Sequence, residues 1–229
     1  MLPDPIIVEH EGILVVRDDL LPGGTKRRAM HVLIDDTHDE YVYASPVYGA
    51  AQIALAYTCR DYNKRATILC AQRQTWHPLT KQAADLEAKI IEVPMGFLSN
   101  VQSKAKAYCS AVASRKLMPF GLDDPEFIAA LANVARQMPV TPTEVWSITS
   151  SGVLSRALQQ AWPEARFFGV QVGATPNAGR CETVYLAPEK FDKDAKIRPP
   201  FPSNLNYDSK AWRFVKQYAS SGALFWNVM

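Results

Sequence analysis

Short runs of apolar and β-branched residues alternate along this chain with longer segments whose apolar positions recur every three or four residues. The runs at 12–16 (G-I-L-V-V), 40–44 (E-Y-V-Y-A), 66–70 (A-T-I-L-C), 89–93, 144–149 (E-V-W-S-I-T), 166–172 (R-F-F-G-V-Q-V), 182–186 and 223–228 (A-L-F-W-N-V) predict strands. Helical spacing predicts helices over 49–62, 79–88, 100–114, 125–137, 152–162 and 210–218, and a further helix beginning within 26–33. In the segment 100–114, Val101, Ala105, Tyr108 and Val112 mark one face. Asp123 or Asp124 supplies a cap before Pro125. Strands alternating with helices of this length predict an α/β protein with parallel sheet. The Pro-rich, polar stretch 173–206 is expected to be ordered but irregular.

Composition narrows the classes of function. With 229 residues, 48% of them apolar, the chain can build one sizeable core or two small lobes sharing a cleft. Its 25 basic and 23 acidic residues give a net charge of +2, so charge favours neither nucleic acid nor membrane. Cys59, Cys70, Cys109 and Cys181 show no C-x-x-C spacing and read as buried thiols, which fits a reducing, cytoplasmic setting. No run approaches the ~18 apolar residues of a membrane span, so a soluble, unexported protein without membrane contact is expected. His10, His31, His38 and His77 are scattered without ligand spacing, so no metal site is expected.

Two segments carry chemistry on their own residues. The first is R-D-D-L-L-P-G-G-T-K-R-R, residues 17–28, where Lys26 follows a Gly-Gly turn between a strand and a helix. An amine so placed either projects into a cleft, where it can form an imine with an aldehyde, or belongs to a basic surface patch with Arg27 and Arg28. The second is the strand-to-helix turn Thr149, Ser150, Ser151, Gly152, Val153. It offers backbone amides, a helix N-terminus and hydroxyls to a phosphate, or else an ordinary helix capped by Ser150 or Ser151. A third segment, Tyr207-Asp208-Ser209-Lys210-Ala211, reads as a helix start with Asp208 as cap.

Taken together and in order, these segments resemble the fold type II (tryptophan-synthase-β-like) pyridoxal-phosphate enzymes, nearest to the aminocyclopropane-carboxylate deaminase and D-cysteine desulfhydrase branch. Residues 17–28 resemble that branch's K-R-E-D…G-G-N-K-x-R-K stretch. The run from Tyr207 to Ala211, followed by Ala223-Leu224-Phe225-Trp226, resembles its Y-[ET]-G-K-[AS]…V-L-F-L ending. The resemblance implies a two-lobed α/β fold with parallel-rich sheets flanked by helices and a cofactor cleft between the lobes. A small lobe over 40–115 would be inserted in a larger lobe formed by 1–39 and 116–229.

It also implies pyridoxal 5'-phosphate as cofactor, held as a Schiff base by Lys26. Thr149, Ser150, Ser151, Gly152 and Val153 would hold its phosphate, Tyr207 would pack by the ring, and Asp208 would meet the pyridine nitrogen. A carboxylate there keeps the ring protonated and deepens the electron sink. The loop Ser45-Pro46-Val47-Tyr48-Gly49-Ala50 falls where the family has an asparagine that contacts ring and substrate. An ungapped match puts Ala50 at that point, and a shifted loop would bring Ser45 or Tyr48 to the substrate, with Tyr48 also beside the cofactor.

The implied activity is deamination, elimination or decarboxylation at the α-carbon of an amino-acid moiety, by a homodimer. The chain is shorter than family members, mainly between Val172 and Tyr207, which implies an open site suited to a bulky substrate. One alternative is therefore a decarboxylase or lyase acting on an amino acid attached to thymine in bacteriophage DNA, in the host cytoplasm if the chain is viral. Lys190, Lys193, Lys196, Arg198, Lys210, Arg213 and Lys216 mingle with Phe191, Phe201 and Trp212, either as solvated surface or as a face for double-stranded DNA. A second alternative is a degenerate protein that binds the cofactor without turnover.

Overall fold

Two sheets organise the computed structural model, which describes residues 2–94, 96–173 and 177–229, and each sheet belongs to its own unit of the chain. The larger unit comprises Met1–Ala29 and Pro125–Met229, the smaller Met30–Asp124. In the larger unit β1 (Ile7–His10) and β2 (Ile13–Arg17) form an antiparallel hairpin. The sheet continues through β7 (Glu144–Thr149), β8 (Arg166–Gln171), β9 (Thr183–Leu186) and β10 (Leu224–Asn227), in the order β1-β2-β10-β7-β8-β9. From β2 to β9 every neighbouring pair is parallel.

Strands covered on both faces need apolar residues at successive positions rather than at alternate ones. β7 and β10 meet that demand, since every residue in both is buried. Their cover is α5 (Pro125–Arg136), α6 (Val153–Ala161) and α7 (Ser209–Tyr218), with α6 and α7 packing on β7 and β8. Beneath α7 an aromatic stack crosses three strands, with Trp146 4.8 Å from Phe168 and 5.6 Å from Tyr185 between ring centroids. Phe214 and Tyr218 of α7 close it, each 5.1 Å from Tyr185. At the amino edge of β7, the buried Glu144 accepts from Trp146 Nε1 (2.7 Å) and from the N–H (3.0 Å) and Oγ (2.7 Å) of Ser220, which fixes the turn after α7.

The smaller unit is a parallel sheet of β3 (Glu40–Ala44), β4 (Arg65–Ala71), β5 (Lys89–Val93) and β6 (Arg115–Leu117), in the order β5-β4-β3-β6. Its helices are α2 (Ala51–Asp61), α3 (Pro78–Asp85) and α4 (Leu98–Ser110). The expected face of α4 holds for Val101 and Ala105, which are buried, and for Tyr108, which packs against them. Val112 lies past the helix end and is exposed. At the amino edge Glu40 is held by Thr67 (2.6 Å), Tyr108 (2.8 Å) and Arg115 (3.0 Å).

The expected α/β class with parallel-rich sheets and flanking helices is what the chain forms, and two strands were unforeseen, β1 and the three-residue β6. β1 pairs with β2 through the two-residue turn Glu11-Gly12. Of the irregular stretch 173–206, residues 174–176 lie outside the described residues; β9 is its strand. The four cysteines are free thiols, with Cys59 and Cys70 buried. No helix among the described residues is long and apolar enough to cross a membrane.

Candidate active site

Parallel strands in an open sheet end together, and the carboxyl edge is where loops from different strands converge on a ligand. In the larger unit that edge collects the segments singled out by sequence. β2 runs out at Arg17 and leads through a 3-10 turn at Asp18–Leu20 into α1 (Gly24–Met30), which carries Lys26 on its first turn. β7 ends at Thr149 and turns through Ser150, Ser151 and Gly152 into α6. β10 ends at Asn227, with Val228 and Met229 beyond it. Lys26, Thr149, Ser151, Gly152, Tyr207 and Val228 line one recess at this edge, with Phe127 and Leu131 of α5 as its apolar wall.

Close backbone approach holds this edge together. Val228 C=O accepts from Thr25 N–H (3.0 Å), and a Cβ on Gly24 would stand 2.4 Å from that oxygen. Gly24 also has φ +64°, so both space and conformation call for glycine. The turn after β7 repeats the device: Gly152 (φ +82°) is the N-cap of α6, and a Cβ there would meet Asn177 O at 1.9 Å. Because Gly152 itself occupies the N-cap, neither Ser150 nor Ser151 is the N-cap residue allowed for by sequence. Thr149 Oγ1 is buried without a hydrogen-bond partner.

Asp208 is completely buried, and it too departs from the capping role. It occupies the N-cap position of α7, but its side chain makes no cap bond. Oδ2 accepts instead from Met229 N–H at 3.2 Å, and Oδ1 has no partner. Burial pushes this carboxyl up to about 8, against the opposing pull of the Val228 and Met229 N–H groups and of the Lys26 amine. Burial likewise pushes Lys26 below the ordinary lysine range, with the Asp208 charge pulling it back. The Lys26 side chain is half-buried, and it is its amine end that is desolvated. Lys26 is thus no member of a solvated patch with Arg27 and Arg28. Arg28 is itself buried in an ion pair with Asp18 at 2.6 Å.

Burial, then the nearby Asp208, raises the Tyr207 phenol above the ordinary tyrosine range, while the Ser150 N–H bonded to it acts the other way. Phe191 packs against Tyr207, with ring centroids 6.0 Å apart.

Ser45 and Tyr48 belong to the smaller unit, in the loop between β3 and α2. Ser45 Oγ donates to Pro46 O (2.8 Å), and the Tyr48 ring meets His77 edge-on at 4.9 Å. Gln52 braces this loop by donating to Gly49 O (3.0 Å) while accepting from Thr80 Oγ1 (3.0 Å).

The basic and aromatic stretch near the C-terminus is not a continuous face. Phe201, Trp212 and Lys210 are buried, the last donating to Lys190 O at 2.8 Å, and Arg213 and Lys216 pair with Glu189 and Glu11. Burial of their apolar bodies in the core of the larger unit takes these aromatics away from any surface contact.

No family model and no curated protein sequence matches this chain. Solved structures do. An ACC deaminase homologue superposes with a TM-score of 0.86 at 13% identity, over 99% of this chain and 90% of that one. The chain has the type II fold. Two further structures agree. The O-acetylserine-dependent cystathionine β-synthase of Helicobacter pylori gives 0.73 at 14% identity, over 99% of this chain and 93% of that one. A T.th. threonine deaminase gives 0.71 at 12% identity, over 93% of this chain and 85% of that one. At such identities the likeness fixes the type II fold, and the chemistry rests on the residues themselves.

Sequence reasoning did not single out Asp18, Thr25 and Trp226, which are hydrogen-bonded to one another where α1 meets β10. Asp18 and Thr25 stood inside the segment it quoted, and Trp226 inside another, but nothing in their spacing says that they meet.

Proposed function

We propose that this chain is a pyridoxal-phosphate enzyme acting at the α-carbon of an amino-acid moiety, with Lys26 as the residue that holds the cofactor covalently. The observation that carries this reading is a desolvated amine, Lys26, at the carboxyl edge of a parallel sheet, coupled to a buried carboxylate, Asp208, whose Oδ1 is unpartnered.

The residues present fit the group. A buried acceptor without a donor is costly, on the order of 1–3 kcal/mol, and Asp208 Oδ1 suits a protonated ring nitrogen. Thr149 Oγ1, also unpartnered, and the amides of the Gly152 turn suit a phosphate at the N-terminus of α6. When bound, pyridoxal phosphate supplies an electron sink for a carbanion at the substrate α-carbon. The chain's own part is to bind and to move protons. Burial shifts Lys26 Nζ toward its neutral, nucleophilic form, and the same amine would serve as a base for the α-proton. Asp208 would accept from a ring N–H, and a cation beside it would favour its ionised form. Tyr207, its phenol held protonated and bonded to the Ser150 N–H, ties the phosphate turn to the helix that carries Asp208.

The threonine deaminase and the β-synthase that share the fold support loss of a proton at the α-carbon followed by elimination. The test is a visible spectrum of the purified protein with added pyridoxal phosphate, beside Lys26→Ala. A band that borohydride removes, with the reduced adduct mapped to Lys26 and absent from the variant, is the expected result. A colourless wild type without an adduct at Lys26 overturns the reading.

A further inference from the structure

Lys26 sits between two residues, Thr25 and Arg28, whose side chains end on the same buried carboxylate. Asp18 is wholly inaccessible, and both of its oxygens are saturated. Oδ1 accepts from Arg28 Nε (2.7 Å) and Nη2 (2.6 Å); Oδ2 accepts from Thr25 Oγ1 (2.7 Å) and Trp226 Nε1 (3.0 Å). Trp226 Nε1 also stands 2.9 Å from Thr25 Oγ1, closing a triangle among the three side chains. Arg28 reaches onward to Pro3 O at 2.7 Å. These contacts join three pieces of chain: the turn after β2, the short helix α1, and β10.

The consequence for the site follows from what β10 does next. Beyond Trp226, Val228 takes the Thr25 N–H and Met229 N–H holds Asp208 Oδ2. A seven-residue helix has too few internal hydrogen bonds to hold its own orientation. The placing of Lys26 relative to Asp208 is therefore set by what α1 is tied to. We propose that Asp18 is a positioning residue for Lys26, locking α1 onto β10 through Thr25, Arg28 and Trp226 so that the lysine amine is held at the carboxyl edge of the sheet beside Asp208. The relevance to catalysis rests on the function proposed above; the positioning itself does not, and can be read without cofactor.

The experiment is pH-dependent trace acylation of lysines in the cofactor-free protein, with each site quantified by mass spectrometry. It compares wild type, Asp18→Asn and Thr25→Val, each with a thermal melt. Lys210 is the internal control, because it is also buried with its amine shifted downward, and it lies outside the network. The expected result is that in both variants the reactivity midpoint of Lys26 rises toward the ordinary lysine range, by ~1 pH unit, while that of Lys210 stays. Loss of a negative charge would by itself move Lys26 downward, so a rise in Asp18→Asn reports release of the helix. Thr25→Val cuts the same tie with every charge intact, and it decides the matter if Asp18→Asn does not fold. A Lys26 profile unchanged in a destabilised variant, or one that moves together with Lys210, overturns the proposal. Absence of a pyridoxal-phosphate adduct alongside a rise confined to Lys26 would sink the proposed function and leave the positioning role standing.

Discussion

Lys26 and Asp208 are each the other's counter-charge: burial drives both toward their neutral forms, and each pulls the other back toward ionisation. A pair held in this way is poised, because a cation arriving at Asp208 changes which form each prefers.

The first prediction follows from the sign of the Asp208 shift. A carboxyl raised from 3.8 to about 8 keeps its proton in the folded protein where the unfolded chain has lost it. Its contribution to stability is whole below about pH 4 and is lost as pH rises through about 8. Asp208→Asn cannot ionise, so the cofactor-free variant should melt above wild type by ~5 °C or more at pH 8.5 and converge with it toward pH 4. Melting curves across that range check it.

Lys26 gives the opposite slope. An amine lowered by burial contributes stability that is lost as pH falls through its folded-state value. Lys26→Met should therefore fold and melt higher than wild type, with the gap widening from pH 9 to pH 6. The same variant should give no visible band with pyridoxal phosphate.

Gly152→Ala meets a backbone wall. The added Cβ would fall 1.9 Å from Asn177 O at a φ of +82°, so the turn or the Asn177 segment must shift. A loss on the order of 2–4 kcal/mol is expected, with weakened cofactor binding. Gly169→Ala is the comparison, since its Cβ would lie 3.3 Å from the Thr149 methyl, and it should cost ~1 kcal/mol or less. Denaturant titration of both proteins separates the two outcomes.

Thr149→Val replaces an unpartnered buried hydroxyl by a methyl group. The cofactor-free protein should hold or gain stability, by up to ~1 kcal/mol, while its affinity for pyridoxal phosphate falls about tenfold. Melting and cofactor titration on the same preparation show whether the two move in opposite directions.

The elements were legible wherever burial on both faces forces a short apolar run, as in E-V-W-S-I-T and L-F-W-N, or where a helix shows its 3.6-residue stripe. β1 escaped because its turn is Glu11-Gly12: a glutamate at φ +53° is an uncommon choice for a hairpin and gives no turn signal. Lys26 and the Thr149–Gly152 turn stand out in the sequence because each lies between a strand and a helix, whereas Asp208 stands out through the family resemblance. The carboxylate under α1 could not. Its partners come from residues 25, 28 and 226, and the last is 208 positions away in sequence, a distance that no local pattern spans.

The order of the larger sheet also governs how this protein comes into being. β10 lies between β2 and β7, so residues 14 and 224 are neighbours, and every other strand of that sheet precedes β10 in the chain. During synthesis the hairpin and the β7-β8-β9 block leave the ribosome as two pieces with a gap between them. The gap closes only when residues 224–227 emerge, and such long loop closures make folding slow. Until that moment Trp226 has not reached Asp18, and the lysine helix has nothing to dock on. On the function proposed above, the positioned amine of Lys26 therefore arises only once the fold is complete.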